Sequence, residues 1–237
     1  MGNRNNFLQF LFVFMPQPPF ITYLEKRLAN PDTAPLPGYE GQKRMAPFVK
    51  EIYEQPKDID TYKQSAVLAL LFNNRDHAHS AEHLEVLFTV RSSDLKNHSG
   101  QISFPGGRSD AGETIVQTAL RETCEEVGLK RENITVLGEL SSLYVPVSRS
   151  MIYVVAGFHE GVPETRPNES EVEEIFSVPL SVLLNPANID RKPWVVLGRE
   201  VEVPFWNLGK NVPLWGATAM MTAEILTLYE EFASVTS

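Results

Sequence analysis

One cysteine, Cys124, stands among 237 residues, which excludes an intramolecular disulfide and gives no sign of an oxidising compartment. Long apolar runs are missing too: Phe7 to Met15 falls far short of the roughly 20 residues that span a bilayer. Only Arg4 supplies basic charge before that run, and Pro16, Pro18 and Pro19 follow where a signal peptide would place small residues, so secretion is not expected. Positive charge is scarce, with 21 Lys and Arg against 30 Asp and Glu and a formal charge of −9. That balance argues against nucleic acid as a partner, because such affinity comes mainly from neutralising backbone phosphates. Neither a Walker A loop nor an H-E-x-x-H helix occurs. His77, His79 and His83 sit in one loop-like stretch without cysteine, and they read as exposed side chains rather than a transition-metal site. The expectation is an intracellular protein acting on a small molecule, cytoplasmic by default, with mitochondria and peroxisomes open and the oligomeric state undetermined.

What is present suits one good core, since 43% of residues are hydrophobic and 22% charged. Ile21, Leu24 and Leu28 recur at helical spacing ahead of the loop Asn30 to Gly41, so residues 1–60 read as an N-terminal extension. Residues 61–234 read as the main domain. Ala66 to Phe72 and Leu84 to Arg91 suit strands around a hairpin-like loop, Asn73 to His83. Thr114 to Val127 suits a helix, stopped at Gly128. Ile134 to Leu140, Met151 to Phe158 and Ile175 to Val178 suit further strands. Pro179 to Leu184 suits a short helix, Trp194 to Leu197 with Val201 to Phe205 a last hairpin, and Thr218 to Phe232 a closing helix. Strands outnumber helices and do not alternate regularly with them, which predicts an α+β class, a mixed sheet with helices on its faces.

The chemistry concentrates in residues 107 to 129: Gly107, five residues, Glu113, seven residues, then Arg121-Glu122-Thr123-Cys124-Glu125-Glu126-Val127-Gly128-Leu129. On a helix, Glu122, Glu125 and Glu126 fall within an arc of about 100°. Val116, Leu120, Thr123 and Val127 form a separate apolar stripe. Such an acidic face is often merely solvated; clustered carboxylates are also what a hard divalent cation needs while it bridges to phosphates. Gly106 and Gly107 let the backbone turn sharply and approach a ligand or metal. Arg121 is placed to pair with a carboxylate such as Glu113 and hold loop to helix. Cys124 reads as a small packing residue, not a nucleophile.

This pattern resembles the Nudix box, G-x5-E-x7-R-E-U-x-E-E-x-G-U with U aliphatic, and departs from it only at Thr123. Seven fixed residues match in register, which random usage of about 7% per type would produce with odds on the order of one in a million. Just upstream, Leu87-Phe88-Thr89-Val90-Arg91-Ser92, Lys96, Gly100 and Phe104-Pro105-Gly106-Gly107 resemble the signature of the coenzyme A diphosphatase subfamily, with Phe88 for leucine and Lys96 for arginine. The resemblance implies a Nudix-type α/β/α sandwich and water attack on a diphosphate, giving 3′,5′-adenosine bisphosphate and 4′-phosphopantetheine from coenzyme A. It implies Mg²⁺ or Mn²⁺ as cofactor, neutralising phosphate charge and acidifying the attacking water. Glu122 and Glu126 are then the principal metal ligands, with Glu125 a further ligand or base. Arg91, Lys96, Gly106 and Gly107 contact the substrate. In the acidic run Glu169 to Glu174, Glu171 and Glu174 are candidate bases, against the alternative of a solvated charge run.

Overall fold

A computed structural model describes residues 17–30, 34–47, 62–74, 83–92, 100–146, 148–196 and 198–236. The apolar segment 7–15, His77, His79 and Lys96 lie outside them. In chain order the elements are α1 (Pro19–Leu28), α2 (Tyr39–Gln42), β1 (Lys63–Asn73), β2 (Leu84–Arg91), β3 (Ile102–Ser103), β4 (Gly106–Arg108) and α3 (Ile115–Val127). Then follow β5 (Ile134–Glu139), β6 (Leu143–Val145), β7 (Ser150–His159), β8 (Val172–Pro179), α4 (Leu180–Leu184), β9 (Ile189–Val196), β10 (Arg199–Trp206), β11 (Leu214–Trp215) and α5 (Gly216–Thr236).

β1 is the spine of a mixed sheet, parallel to β7 on one side and antiparallel to β2 and β4 on the other. Its side chains alternate between two buried faces. Ala66, Leu68, Leu70 and Phe72 pack with Ala119, Leu120 and Val127 of α3. Ala69 and Leu71 face the opposite cluster, which holds Phe20, Ile21 and Leu24 of α1 and Ile225, Leu226 and Leu228 of α5. Burial of each large side chain contributes about 1.5–3 kcal/mol. The result is the expected α+β class, helices covering both faces of a mixed sheet.

One irregularity of this sheet builds the site. The first part of β1 pairs with β4 (Ser65 opposite Arg108, Val67 opposite Gly106), whereas its last part pairs with β2 (Leu71 opposite Val86). Between them the sheet forks.

The helix α3 starts where the sequence predicts. Thr114 is its N-cap and exchanges hydrogen bonds with Gln117 in a capping box, and Gly128 closes it at φ +73°. Two expected strands are longer than the apolar pattern suggested. β8 begins at Val172 and β9 at Ile189, and the first residues of β9, Asp190 to Lys192, are too exposed to carry an alternating signal. The two- and three-residue strands β3, β4, β6 and β11 are shorter than a period can reveal. Among the described residues, no helix is long and apolar enough to cross a membrane.

Candidate active site

α3 brings Glu122 and Glu126 one turn apart on the side facing the β3–β4 loop. Glu126 is 1% exposed and accepts a hydrogen bond from Gly106 N–H at 3.0 Å and an ion pair from Arg91 Nη1 at 3.2 Å. It is not the solvent-facing acid that helical phase alone suggested, because the loop and the end of β2 close over it. Burial, more than any neighbour, pushes its carboxyl up to about 7, with Gly106 N–H and Arg91 opposing and Glu122 and Glu171 adding to the rise. Glu122 is also raised, again mainly by burial.

Gly107 makes the close approach possible. A Cβ built there would lie 2.4 Å from the Glu122 carboxyl carbon, so any side chain would displace the acid. Gly106 has φ +152°, and a Cβ on it would meet the Ala66 carbonyl at 2.4 Å.

The third acid comes from a distant part of the chain. Arg166 N–H and Asn168 N–H donate to the carbonyls of Val127 and Glu126, tying the strand approach to the end of α3. Ser92 N–H then donates to the Glu171 carbonyl at 2.8 Å, beside the register shift between β2 and β8. As a result, carboxylate oxygens of Glu122, Glu126 and Glu171 all lie within 4.8 Å of one another. Three hard oxygen donors at that separation fit a divalent cation, which prefers carboxylates and keeps waters for its other positions.

The remaining candidates stand apart from this trio. Glu125 projects outward, 57% exposed, and meets Arg121 Nη1 at 3.2 Å. Glu174 forms an ion pair with Lys210, which lies over the Phe176 ring. Lys96 falls outside the described residues. Arg121 grips Glu113 through Nε at 2.7 Å and Nη2 at 3.0 Å, also reaches Glu122 and the Arg108 carbonyl, and holds the Glu113 carboxyl down at about 2. Cys124 is half-buried, and burial raises its thiol.

The acids line one end of a cavity of about 960 Å³ that passes the fork and opens over the α5 face of the sheet. Leu143, Val145, Ile152, Trp215, Met220 and Met221 give its far wall, and Lys63, Ser65 and Arg108 stand along its length. Sequence reasoning passed over this second end. The available signal was the placement of Lys63 and Ser65 on the same face of β1 as the apolar Val67, Ala69 and Leu71.

A family profile described as the NUDIX domain matches residues 62–197, more than half of the chain. The chain belongs to the Nudix family. The chain is 39% identical over 147 residues to the human protein named mitochondrial coenzyme A diphosphatase NUDT8, covering 60% of this chain and 62% of that one. It is 36% identical over 157 residues to an uncharacterized Nudix hydrolase, NudL, of Pectobacterium atrosepticum, covering 64% and 74%. It is 39% identical over 118 residues to the mouse protein named peroxisomal coenzyme A diphosphatase NUDT7, covering 49% and 50%. The matched stretch thus spans between half and three quarters of these relatives' own lengths. A solved Nudix hydrolase from M. smegmatis, RenU, superposes with a TM-score of 0.46 at 20% identity, over 73% of this chain and 88% of that one. Nudix hydrolases in general use divalent metal ions, and Glu122 and Glu126 of this Nudix helix, with Glu171 ahead of β8, have the donor chemistry for one.

Proposed function

We propose that this Nudix protein hydrolyses the diphosphate bond of coenzyme A or its acyl derivatives with Mg²⁺ or Mn²⁺, releasing 3′,5′-adenosine bisphosphate and the 4′-phosphopantetheine half. The observation that carries the reading is the convergence of Glu122, Glu126 and Glu171 at one end of a cavity large enough for a dinucleotide-sized ligand. The upstream 87 to 107 signature, the names of the human and mouse relatives, and an apolar far wall suited to an uncharged arm support coenzyme A over other diphosphates. A compartment that contains coenzyme A is implied, and those two relatives are named for mitochondria and peroxisomes.

In this reading Glu122 and Glu126 are the principal metal ligands, and Glu171 is a further ligand or the base. Glu125, exposed beside Arg121, and Glu174, once freed from Lys210, are the alternative bases. A bound divalent cation supplies Lewis acidity to the diphosphate oxygens and to water. Water adds to one phosphorus, the bridging P–O bond breaks, and its oxygen leaves with the other phosphate while a carboxylate takes the proton lost by water. Arg91 holds positive charge beside the reacting group, where a phosphate competes with Glu126 for it. Gly106 and Gly107 leave the backbone bare at the point of closest approach.

The deciding experiment is turnover of coenzyme A, acyl-coenzyme A, ADP-ribose and NADH with Mg²⁺ or Mn²⁺, with products resolved by chromatography. Metal-dependent release of 3′,5′-adenosine bisphosphate as the preferred reaction is expected. Glu122→Gln and Glu126→Gln should each lower kcat by more than about 100-fold, beyond the range typical of a residue that only supports a ligand. Glu126→Gln keeps an acceptor for Gly106 N–H, so circular dichroism should stay native. Preference for another diphosphate overturns the coenzyme A reading, and turnover of none favours a nucleotide-binding module without activity.

A further inference from the structure

The cavity contains a second polar group of residues that the cleavage chemistry leaves unused. Lys63 and Ser65 project from the same face of β1, Arg108 lies directly opposite Ser65 on β4, and Ser150 lies opposite Lys63 on β7. Cross-strand partners share a face, and their diagonal neighbours lie within reach of long side chains. All four line the cavity.

Three cations line the cavity among the described residues, and they differ: Arg91 meets the Glu126 carboxylate, whereas Lys63 and Arg108, both exposed toward its mouth, form no ion pair with a described carboxylate. Among the described residues, the carboxylates lining the cavity are Glu122, Glu126 and Glu171, and none of them pairs with Lys63 or Arg108. In a chain of net charge −9, two like charges side by side in a ligand-sized cavity, flanked by hydroxyl donors, call for an anion.

We propose that Lys63 and Arg108, with the hydroxyls of Ser65 and Ser150, form a second phosphate subsite that reads the 3′-phosphate of the substrate nucleoside. This rests on the coenzyme A reading above and says which part of that substrate the protein selects. Gly106, whose N–H touches Glu126, is two residues from Arg108 along β4, roughly 7 Å of strand. A ribose carrying phosphates at its 3′ and 5′ positions spans a comparable gap, so one phosphate can reach the carboxylate end while the other meets the cations. ADP-ribose and NADH lack the 3′-phosphate, and the subsite therefore discriminates within a family whose cleavage machinery is shared.

The test compares kcat/KM for coenzyme A and 3′-dephospho-coenzyme A in the full chain and in Lys63→Gln, Arg108→Gln and the double variant. Binding of adenosine 3′,5′-bisphosphate and of 5′-AMP is measured alongside by calorimetric titration. The wild type should favour coenzyme A by about 10-fold or more, the scale of one charge-assisted contact. The double variant should erase that preference mainly through KM, and Lys63→Arg with Arg108→Lys should restore most of it. Equal treatment of the two substrates by the wild type, or equal losses on both in the variants, overturns the subsite while leaving the hydrolysis reading intact. If neither is hydrolysed, the hydrolysis reading falls, and the binding titrations decide the subsite separately. Tighter binding of the bisphosphate that disappears in the double variant supports it, and equal binding overturns it.

Discussion

Gly107 has no side chain, and the Glu122 carboxylate occupies the space one would need. Gly107→Ala is therefore expected to push Glu122 away from Glu126 and Glu171. Calorimetric titration with Mn²⁺ should show affinity falling by about 10-fold or more, while the thermal melt of the metal-free protein shifts little, because the displaced acid moves toward solvent rather than into the core. Unchanged affinity would mean that Glu122 does not ligate. The same residues show what sequence could and could not reveal. Glu122, Glu125 and Glu126 share an arc by helical phase, yet only two of them turn inward. Which two depends on the loop that packs over α3, a contact absent from the local pattern. Glu171 was one of several acids in a run, and nothing local distinguishes it from Glu169 or Glu174. Its selection comes from the register shift of β8 against β2.

At the scale of elements, the loop before α3 and the helix itself are joined through Glu113 and Arg121. A carboxylate whose folded-state pKa lies below its ordinary value of 4.5 adds stability above that pH and loses it as pH falls toward the folded value of about 2. The melting temperature of Glu113→Gln should accordingly trail wild type at neutral pH, and the gap should close between about pH 4.5 and 2. A gap independent of pH would assign the loss to something other than the ion pair. Local spacing made this pair legible, as it did the caps of α3. The placement of α1 was less so. Leu24 marks a helical period in the sequence, but only the structure shows it wholly buried in the cluster shared with α5. Leu24→Ala should cost about 2–5 kcal/mol in urea unfolding, the range for large-to-small changes in a packed core. A loss below about 1 kcal/mol would show that α1 rests on the domain without supporting it.

Over the whole molecule, the fold class followed from the number and order of the strands, because β1, β2 and β7 carry apolar runs long enough to read as strands. The cavity did not, since it arises where β1 exchanges β4 for β2 and no single segment carries that event. The cavity also draws its walls from two stretches of the chain. Its carboxylate end and its cations lie within residues 62–197, the span the family profile matches, whereas Trp215, Met220 and Met221 belong to the stretch beyond it. Glu224, one turn further along α5, is buried and accepts hydrogen bonds from Gly38 N–H, Ser141 N–H and the Gln42 amide. The helix that walls the cavity is thereby fastened to the chain's early residues, not to the catalytic strands alone. Substitutions in residues 198–236 or in the leading segment can therefore reshape the apolar wall of the cavity while the carboxylates and the cations stay untouched.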